Sequence, residues 1–279
     1  MIQVAYQGER GAFSETAARR LVNAALAPMP RPTFEEMFAA VVDGDADCCV
    51  VPIENSLAGS IHRNYDLLLE SKLAIAGETN LRIVHNLIAP SQVPLEQIRR
   101  VYSHPVALAQ CGRFLRANAT MEATPVHDTA GAVRMVVERG RGDEAAIASA
   151  DAAEIYGGTI LARGVEDHAQ NFTRFLLLVP PDAIASFPRV NGEGRWKTSM
   201  IFRVANRPGA LYHALGAFAM FEIDLAKIES RPVEGRPWEY AFYADVIGQI
   251  EDERLSRALG NLRTMAEELH VFGSYPTKW

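Results

Sequence analysis

The stretch Asn171-Phe172-Thr173-Arg174-Phe175-Leu176-Leu177-Leu178-Val179-Pro180-Pro181-Asp182 closes one pattern of the chain and opens another. Its first nine residues read as a strand, in which aromatic rings and a β-branched residue lead into an apolar run that Pro180-Pro181 ends. Side chains alternate along a strand, so Thr173 and Phe175 share one face while Phe172 and Arg174 share the other. Thr173 is then one of two things. It is a plain β-branched strand former, or it is a dry hydroxyl beside an aromatic wall, placed to hydrogen-bond a departing oxygen where the local dielectric is low.

Upstream of this strand, short apolar runs at 4–6, 48–53, 81–89, 100–103, 145–148 and 175–179 alternate with helical patterns. Such alternation predicts an α/β domain with a largely parallel sheet. Downstream, Pro180 to Gly194 is punctuated by Pro and Gly and marks a boundary. The order then becomes strand 199–204, helix 210–221, strand 225–231, strand 238–247, helix 252–269, strand 271–275, which is βαββαβ. Leu211, Leu215 and Phe218 form a stripe on the first helix, and Leu255, Leu259, Leu262 and Leu269 form one on the second. Both helices can therefore cover one face of an antiparallel sheet.

A chain of 279 residues suits two domains, at ~100–200 residues per domain. With 48% hydrophobic and 22% charged residues, and no apolar run near the ~18 residues that cross a bilayer, the composition is that of a soluble globular protein. Met1 to Tyr6 resembles a first strand rather than a signal peptide, so the cytoplasm is the expected location and no membrane partner is expected. Cys48, Cys49 and Cys111 are odd in number and lack C-x-x-C spacing, which suggests reduced, mostly buried thiols. Residues 1–185 hold 16 Lys+Arg against 22 Asp+Glu, and 186–279 hold 12 of each. No basic face for nucleic acid is visible, and an anionic ligand of the first domain must be bound by local donors.

Four junctions in the first domain join a strand to a helix through hydroxyl or amide residues: Gly8 to Glu15, Pro52 to Ser60, Tyr102 to Pro105, and His127 to Ala130. A helix start offers unpaired N–H groups and partial positive charge, so each is an anion site or, more simply, a capped helix start with Ser14, Ser60, Ser103 or Asp128 as the cap. Glu54-Asn55-Ser56 follows an apolar strand directly, at the carboxyl end where open α/β sheets bind ligands. There is no G-x-x-x-x-G-K-[ST] loop, no G-x-G-x-x-G behind a strand and no H-E-x-x-H, so neither a nucleotide cofactor nor a metal is expected. In the second domain Asn206-Arg207-Pro208-Gly209-Ala210-Leu211 is a strand-to-helix turn, either ordinary punctuation or a place where a ligand presses on a helix start.

These motifs resemble a known family over essentially the whole chain. VAYQGERGAFSE (4–15), VVPIENSLAGS (50–60), YSHPVALAQC (102–111) and NFTRF (171–175), followed by RPGAL (207–211) and ESRP (229–232), are similar to monofunctional prephenate dehydratases with a C-terminal ACT domain. The resemblance implies a bilobal catalytic domain, 1–184, like type 2 periplasmic binding proteins, with lobes 1–77 plus 159–184 and 78–158. A linker, 185–195, and a ferredoxin-like ACT domain, 196–279, follow. It implies cofactor-free loss of carbon dioxide and hydroxide from prephenate, giving phenylpyruvate. Thr173, Glu54, Asn55 and Gln110 take catalytic positions; Ser103, Ser14, Ser56, Arg174, Phe175 and Phe172 take substrate-binding ones, with Phe13 adding to the apolar surround. Gly209, Ala210, Leu211, Glu229 and Ser230 fall where phenylalanine binds as feedback inhibitor, between ACT domains of a homodimer or homotetramer. The segment from Val126 to Thr129 departs from the family's form and leaves the role of His127 open. Arogenate, the amino counterpart of prephenate, is the nearest rival substrate, and a non-catalytic metabolite sensor is the rival from another class.

Overall fold

A computed structural model describes residues 1–189, 195–233, 235–236 and 238–277, in two compact units: Met1–Ser71 with Thr79–Pro180, and Lys72–Glu78 with Pro181–Trp279. The first unit begins with β1 (Ile2–Gln7), α1 (Phe13–Leu21), β2 (Leu26–Arg31), α2 (Phe34–Val42), β3 (Cys48–Asn55), β4 (Gly59–Ser60) and α3 (His62–Ser71), and takes residues 79–82 of β5 (Ala74–Arg82). It continues through β6 (Asn86–Ala89), β7 (Arg100–Ser103), α4 (Pro105–Gln110), α5 (Gly112–Ala117), β8 (Glu122–Pro125), α6 (Thr129–Arg139), β9 (Glu144–Ala148), α7 (Ala150–Tyr156) and β10 (Thr159–Arg163). The chain then returns to the first sheet as β11 (Phe172–Val179).

Two sheets result, one per lobe. Their strand orders are β2-β1-β3-β11-β5, with β4 beside β3, and β8-β7-β9-β6-β10. The two orders have the same form. Each sheet has three parallel strands, then an antiparallel strand that enters from the crossing between lobes: β11 on β3, and β6 on β9. This is the two-lobed α/β architecture of type 2 periplasmic binding proteins. The second sheet is buried on both faces: Leu87, Val101, Ala145 and Ile147 pack on one side, while Ile88, Tyr102, Ala146 and Ala148 pack on the other.

Several sequence expectations change. The run 81–89 is two strands: β5 ends at Arg82, residues 83–85 cross between lobes, and β6 begins at Asn86. The sheets are mixed rather than largely parallel, because each receives an antiparallel strand from a crossing. Residues 159–163 pair antiparallel with β6 and so belong to the second lobe, while 79–82 continue the first, which moves the lobe limits to 83–85 and 164–171. β2 escaped the sequence reading because Pro28 and Pro30 interrupt it. It lies at the sheet edge, paired on one side only with β1, where a missing N–H costs no ladder bond.

The second unit holds β12 (Trp196–Arg203), α8 (Ala210–Ala219), β13 (Leu225–Pro232), β14 (Tyr240–Ile247), α9 (Glu253–Met265) and β15 (Glu268–Pro276). Its antiparallel sheet, β13-β14-β12-β15, is the ferredoxin-like order of a βαββαβ unit. Phe218, Leu255, Leu259 and Leu262 of the two helix stripes bury Met200, Phe202, Ala244 and Val246, but α9 ends at Met265, so Leu269 belongs to β15, opposite Phe202, and not to the helix stripe. The segment Lys72–Glu78 is part of this unit. Lys197 Nζ lies 2.7 Å from Glu78 Oε1, Thr277 donates to the same oxygen, and a Cβ on Gly273 would stand 2.5 Å from the Ile75 carbonyl.

Candidate active site

Helix starts from both lobes and the carboxyl end of β3 surround a cavity of about 570 Å³ in the first unit. From the first sheet come Pro52, Asn55, Thr173 and Phe175. Strict alternation would turn Pro52 and Asn55 to opposite faces. The pairing slips here, with Arg174 opposite Glu54 but Phe175 opposite Pro52, so Ile53 is an extra residue and Pro52 and Asn55 both face the cavity. Four helices present their first residues: Phe13 and Ser14 of α1, Thr33 and Phe34 of α2, His104 and Val106 of α4, and Asp128 and Thr129 of α6. Thr33, His104 and Asp128 are the caps, accepting from Glu36, Val106 and Gly131 N–H respectively. Ser14 sits inside the first turn of α1 rather than at its cap, and Ser103 precedes the α4 cap.

Thr173 is 8% exposed, and its oxygen accepts from Asn55 Nδ2 at 2.9 Å. Asn55 Nδ2 also donates to Asn171 Oδ1 at 2.8 Å and to the Phe172 carbonyl at 3.1 Å, while Asn55 Oδ1 accepts from the Leu57 and Ala58 N–H groups. Asn171 Nδ2 donates to Gln110 Oε1 at 2.9 Å, and Gln110 Nε2 returns to Asn55 Oδ1 at 3.3 Å. Asn55, Asn171 and Gln110 thus form a closed ring of three amides. His85 Nε2 meets Gln110 Oε1 at 3.0 Å, and Phe13 stands edge-on to the His85 ring. An amide nitrogen has no lone pair, so Thr173 cannot donate to Asn55 and its hydrogen is left for an acceptor in the cavity.

Electrostatics follow from burial. Burial pushes the His85 imidazole below its ordinary value, against the opposing pull of Gln110 and Glu166, and burial with His127 nearby does the same to His104. Both rings are therefore neutral near pH 7. Glu35 lines the mouth, where a hydrogen bond from Arg63 holds its carboxyl below the usual range. Among the described lining residues there is no Lys or Arg. Nor do any three His, Cys, Asp or Glu among the described residues sit where they could hold a metal ion.

The structure thus brings Thr173, Asn55, Gln110, Ser14 and Phe175 to one cavity, together with Phe13. It does not bring the others there. Glu54 and Arg174 are paired across β3 and β11 on the opposite face, as alternation requires once Thr173 faces the cavity. Phe172 is 40% exposed, Ser103 is buried with its hydroxyl on the Ile147 carbonyl, and Ser56 is exposed and tied to Gln170 and Phe172. His85, Thr33, Phe34 and Asn171 were not singled out as site residues by sequence reasoning. The apolar-then-amide pattern at Glu54-Asn55 pointed to the right strand end, but nothing local marked the two crossings.

A family model of prephenate dehydratase matches residues 4–183, and one of the ACT domain matches residues 198–264. The chain belongs to the prephenate dehydratase family. It is accordingly an enzyme of the hydro-lyase class carrying a C-terminal ACT domain. It is 44% identical over 286 residues to Arogenate dehydratase/prephenate dehydratase 2, chloroplastic, of Arabidopsis thaliana, covering 99% of this chain and 73% of that one. Among solved structures it resembles prephenate dehydratase from Arthrobacter aurescens in complex with L-Phe (TM-score 0.87, 28% identity, 99% of this chain and 90% of that one). It also resembles GqqA, described as a novel type of quorum quenching acylase (TM-score 0.87, 37% identity, 99% and 98%).

Within the ACT domain Gly209 has φ +80 and opens α8, with Ala210 and Leu211 in its first turn. Glu229 and Ser230 lie on β13, an edge strand, where Glu229 pairs with Lys227 at 3.1 Å. Arg203 and Arg231 both stand opposite Ala241, so β13 ends at the same end of the sheet as the turn that starts α8.

Proposed function

We propose that this enzyme converts prephenate to phenylpyruvate, and that phenylalanine inhibits it through the ACT domain of a homodimer or homotetramer. The observation that carries the reaction is the Thr173 hydroxyl, fixed by Asn55 and facing an apolar cavity with Phe13, Phe34 and Phe175 on its wall. In the reaction the ring carboxylate leaves as carbon dioxide, its electron pair aromatises the ring, and the C4 hydroxyl departs as water after gaining one proton. Thr173 hydrogen-bonds the departing oxygen in the transition state, and a water supplies the net proton, since an alcohol is a weak acid near pH 7. With no Lys or Arg among the described lining residues, the two carboxylates of the dianion are held by the helix starts of α1, α2, α4 and α6.

Arogenate is the second reading. The Arabidopsis relative carries both activities in its name, and two carboxylates, Glu35 and Asp128, line the cavity where a substrate ammonium would be welcome. The deciding experiment incubates purified protein with each compound and follows phenylpyruvate from prephenate and phenylalanine from arogenate. A larger kcat/KM for prephenate supports the first reading, a larger one for arogenate replaces it with the second, and no product above the spontaneous rate from either sinks both. Phenylalanine added to the same assay tests regulation, and undiminished turnover would remove the effector. The oligomer is read by light scattering: a monomer at all concentrations would contradict the assembly.

A further inference from the structure

Asn171 lies off the cavity wall and is fully buried, yet it closes the amide ring. Direction around that ring is not free. The Leu57 and Ala58 N–H groups can only donate and the Phe172 carbonyl can only accept, so Asn55 is fixed with Oδ1 toward the former and Nδ2 toward the latter. Asn171 must then show its oxygen to Asn55 and its NH2 to Gln110, and Gln110 must show its oxygen to Asn171 and its NH2 to Asn55. His85 meets the same Gln110 oxygen, so Nε2 is its N–H nitrogen, and Nδ1 is left buried with no hydrogen-bond partner among the described residues. Asn171 and His85 sit on the two crossings between lobes, joined by the Ile83 N–H to the Asn171 carbonyl at 2.8 Å.

We infer that Asn171 is a positioning residue for the dehydration, with His85 as its companion: together they turn the Gln110 NH2 onto Asn55 Oδ1, reinforcing the orientation that the Leu57, Ala58 and Phe172 backbone groups give Asn55 and that leaves the Thr173 hydrogen for the ligand. The inference rests on the dehydratase reading, and its test separates the two. Asn171→Asp keeps the shape. As an ionised carboxylate it offers only acceptors, so it faces the Gln110 oxygen. If Gln110 turns over instead, its NH2 meets the His85 N–H and its oxygen meets Asn55 Oδ1. As a neutral acid it donates to Gln110 and the ring is restored. The ionisable groups around it are His85, Glu166, which accepts the His85 backbone N–H and pairs with Arg82, and Asp167, whose N–H holds the Gln110 carbonyl. The neighbouring Cys111 thiol is pushed up to about 12 by burial and stays neutral.

The expected result is a kcat at least ~10-fold below wild type near pH ~8 that recovers as the pH falls toward ~6, with KM within ~2-fold and the spontaneous reaction subtracted. A pH profile parallel to wild type, whether at full or uniformly reduced kcat, overturns the inference. If Asn171→Asp does not fold, Gln110→Glu carries the same test, because only its neutral form donates to Asn55. The Tm gap between variant and wild type is read alongside and should narrow on acidification; a constant gap also overturns the ring. A wild type inert toward both substrates sinks the dehydratase reading alone, and the Tm series still decides the ring.

Discussion

What Thr173 offers a departing oxygen is its one hydrogen, since Asn55 donates to the Thr173 oxygen and cannot accept from it. Thr173→Ala is therefore expected to lower kcat by ~10²–10⁴-fold with little change in Tm, and Thr173→Ser to keep most of the activity, measured on the better substrate. Unchanged turnover in the alanine variant would remove the hydroxyl from the reaction. Legibility at this scale depended on periodicity. Thr173 and Phe175 could be put on one face because a strand repeats every two residues, and the same rule already placed Phe172 and Arg174 on the other. His85 could not be found that way, because it sits in a crossing that the apolar run 81–89 disguised as continuous strand.

At the scale of elements, the junction of β1 and α1 is held by charge and by a glycine. Glu15 is 3% exposed and accepts from the Tyr6 hydroxyl, the Gly11 N–H, Arg10 and Arg19. Burial raises its carboxyl, but the Gly11, Tyr6 and Arg10 hydrogen bonds outweigh this and leave it below the ordinary range. Its stabilising effect is present above the unfolded value of about 4.5 and is lost as the pH falls through the lower folded value. Glu15→Gln should cost ~1–3 kcal/mol at neutral pH, and the gap in chemical denaturation should shrink below pH ~4. A gap that does not vary with pH would assign the loss to packing instead.

Gly11 has φ +83, and a Cβ there would lie 2.7 Å from Ala152 Cα of α7, whereas Gly44, at φ +82, has nothing within 4 Å. Gly11→Ala should thus cost ~2–4 kcal/mol and Gly44→Ala only ~1–2 kcal/mol by the same measurement. The approach of α1 to α7 was not legible, because it joins residues 11 and 152, and local pattern carries no record of such pairs. The strands that could be read, 4–6, 48–53, 100–103, 145–148 and 175–179, are interior strands of their sheets with apolar runs. β2, broken by prolines at an edge, could not.

For the whole molecule, the ACT domain is not a detachable bead. Lys197, Glu78 and Thr277 form a buried polar cluster inside the second unit, with Lys197 4% and Glu78 9% exposed. Removing the ammonium by Lys197→Met should cost ~3–5 kcal/mol, and Glu78→Gln in the same chain should recover part of it, as denaturant midpoints will report. Loss below ~1 kcal/mol would mean that the pair contributes as little as a surface ion pair. Deleting 195–279 takes Lys197, Thr277 and the β15 backbone from residues 72–78. The truncated enzyme is therefore expected to melt lower than full-length protein and to expose new apolar surface to a hydrophobic dye. The Pro180-Pro181 punctuation coincides with the start of the second unit's C-terminal segment, whereas residues 190–194 of the expected linker 185–195 lie outside the described residues, and composition gave no hint that 72–78 groups with the C-terminal unit.

The double crossing also bears on how the protein is made. The first lobe's central pairing, β3 with β11, joins residues near 50 to residues near 175, so a nascent chain must finish the second lobe before the first can close. Until then β3 shows a ribosome's surroundings an open hydrophobic edge, and Thr173 and Asn171 arrive among the last parts of the domain. A polypeptide released early, near residue 165, should be captured by chaperones or precipitate, while one released after Val179 has every strand its lobes require.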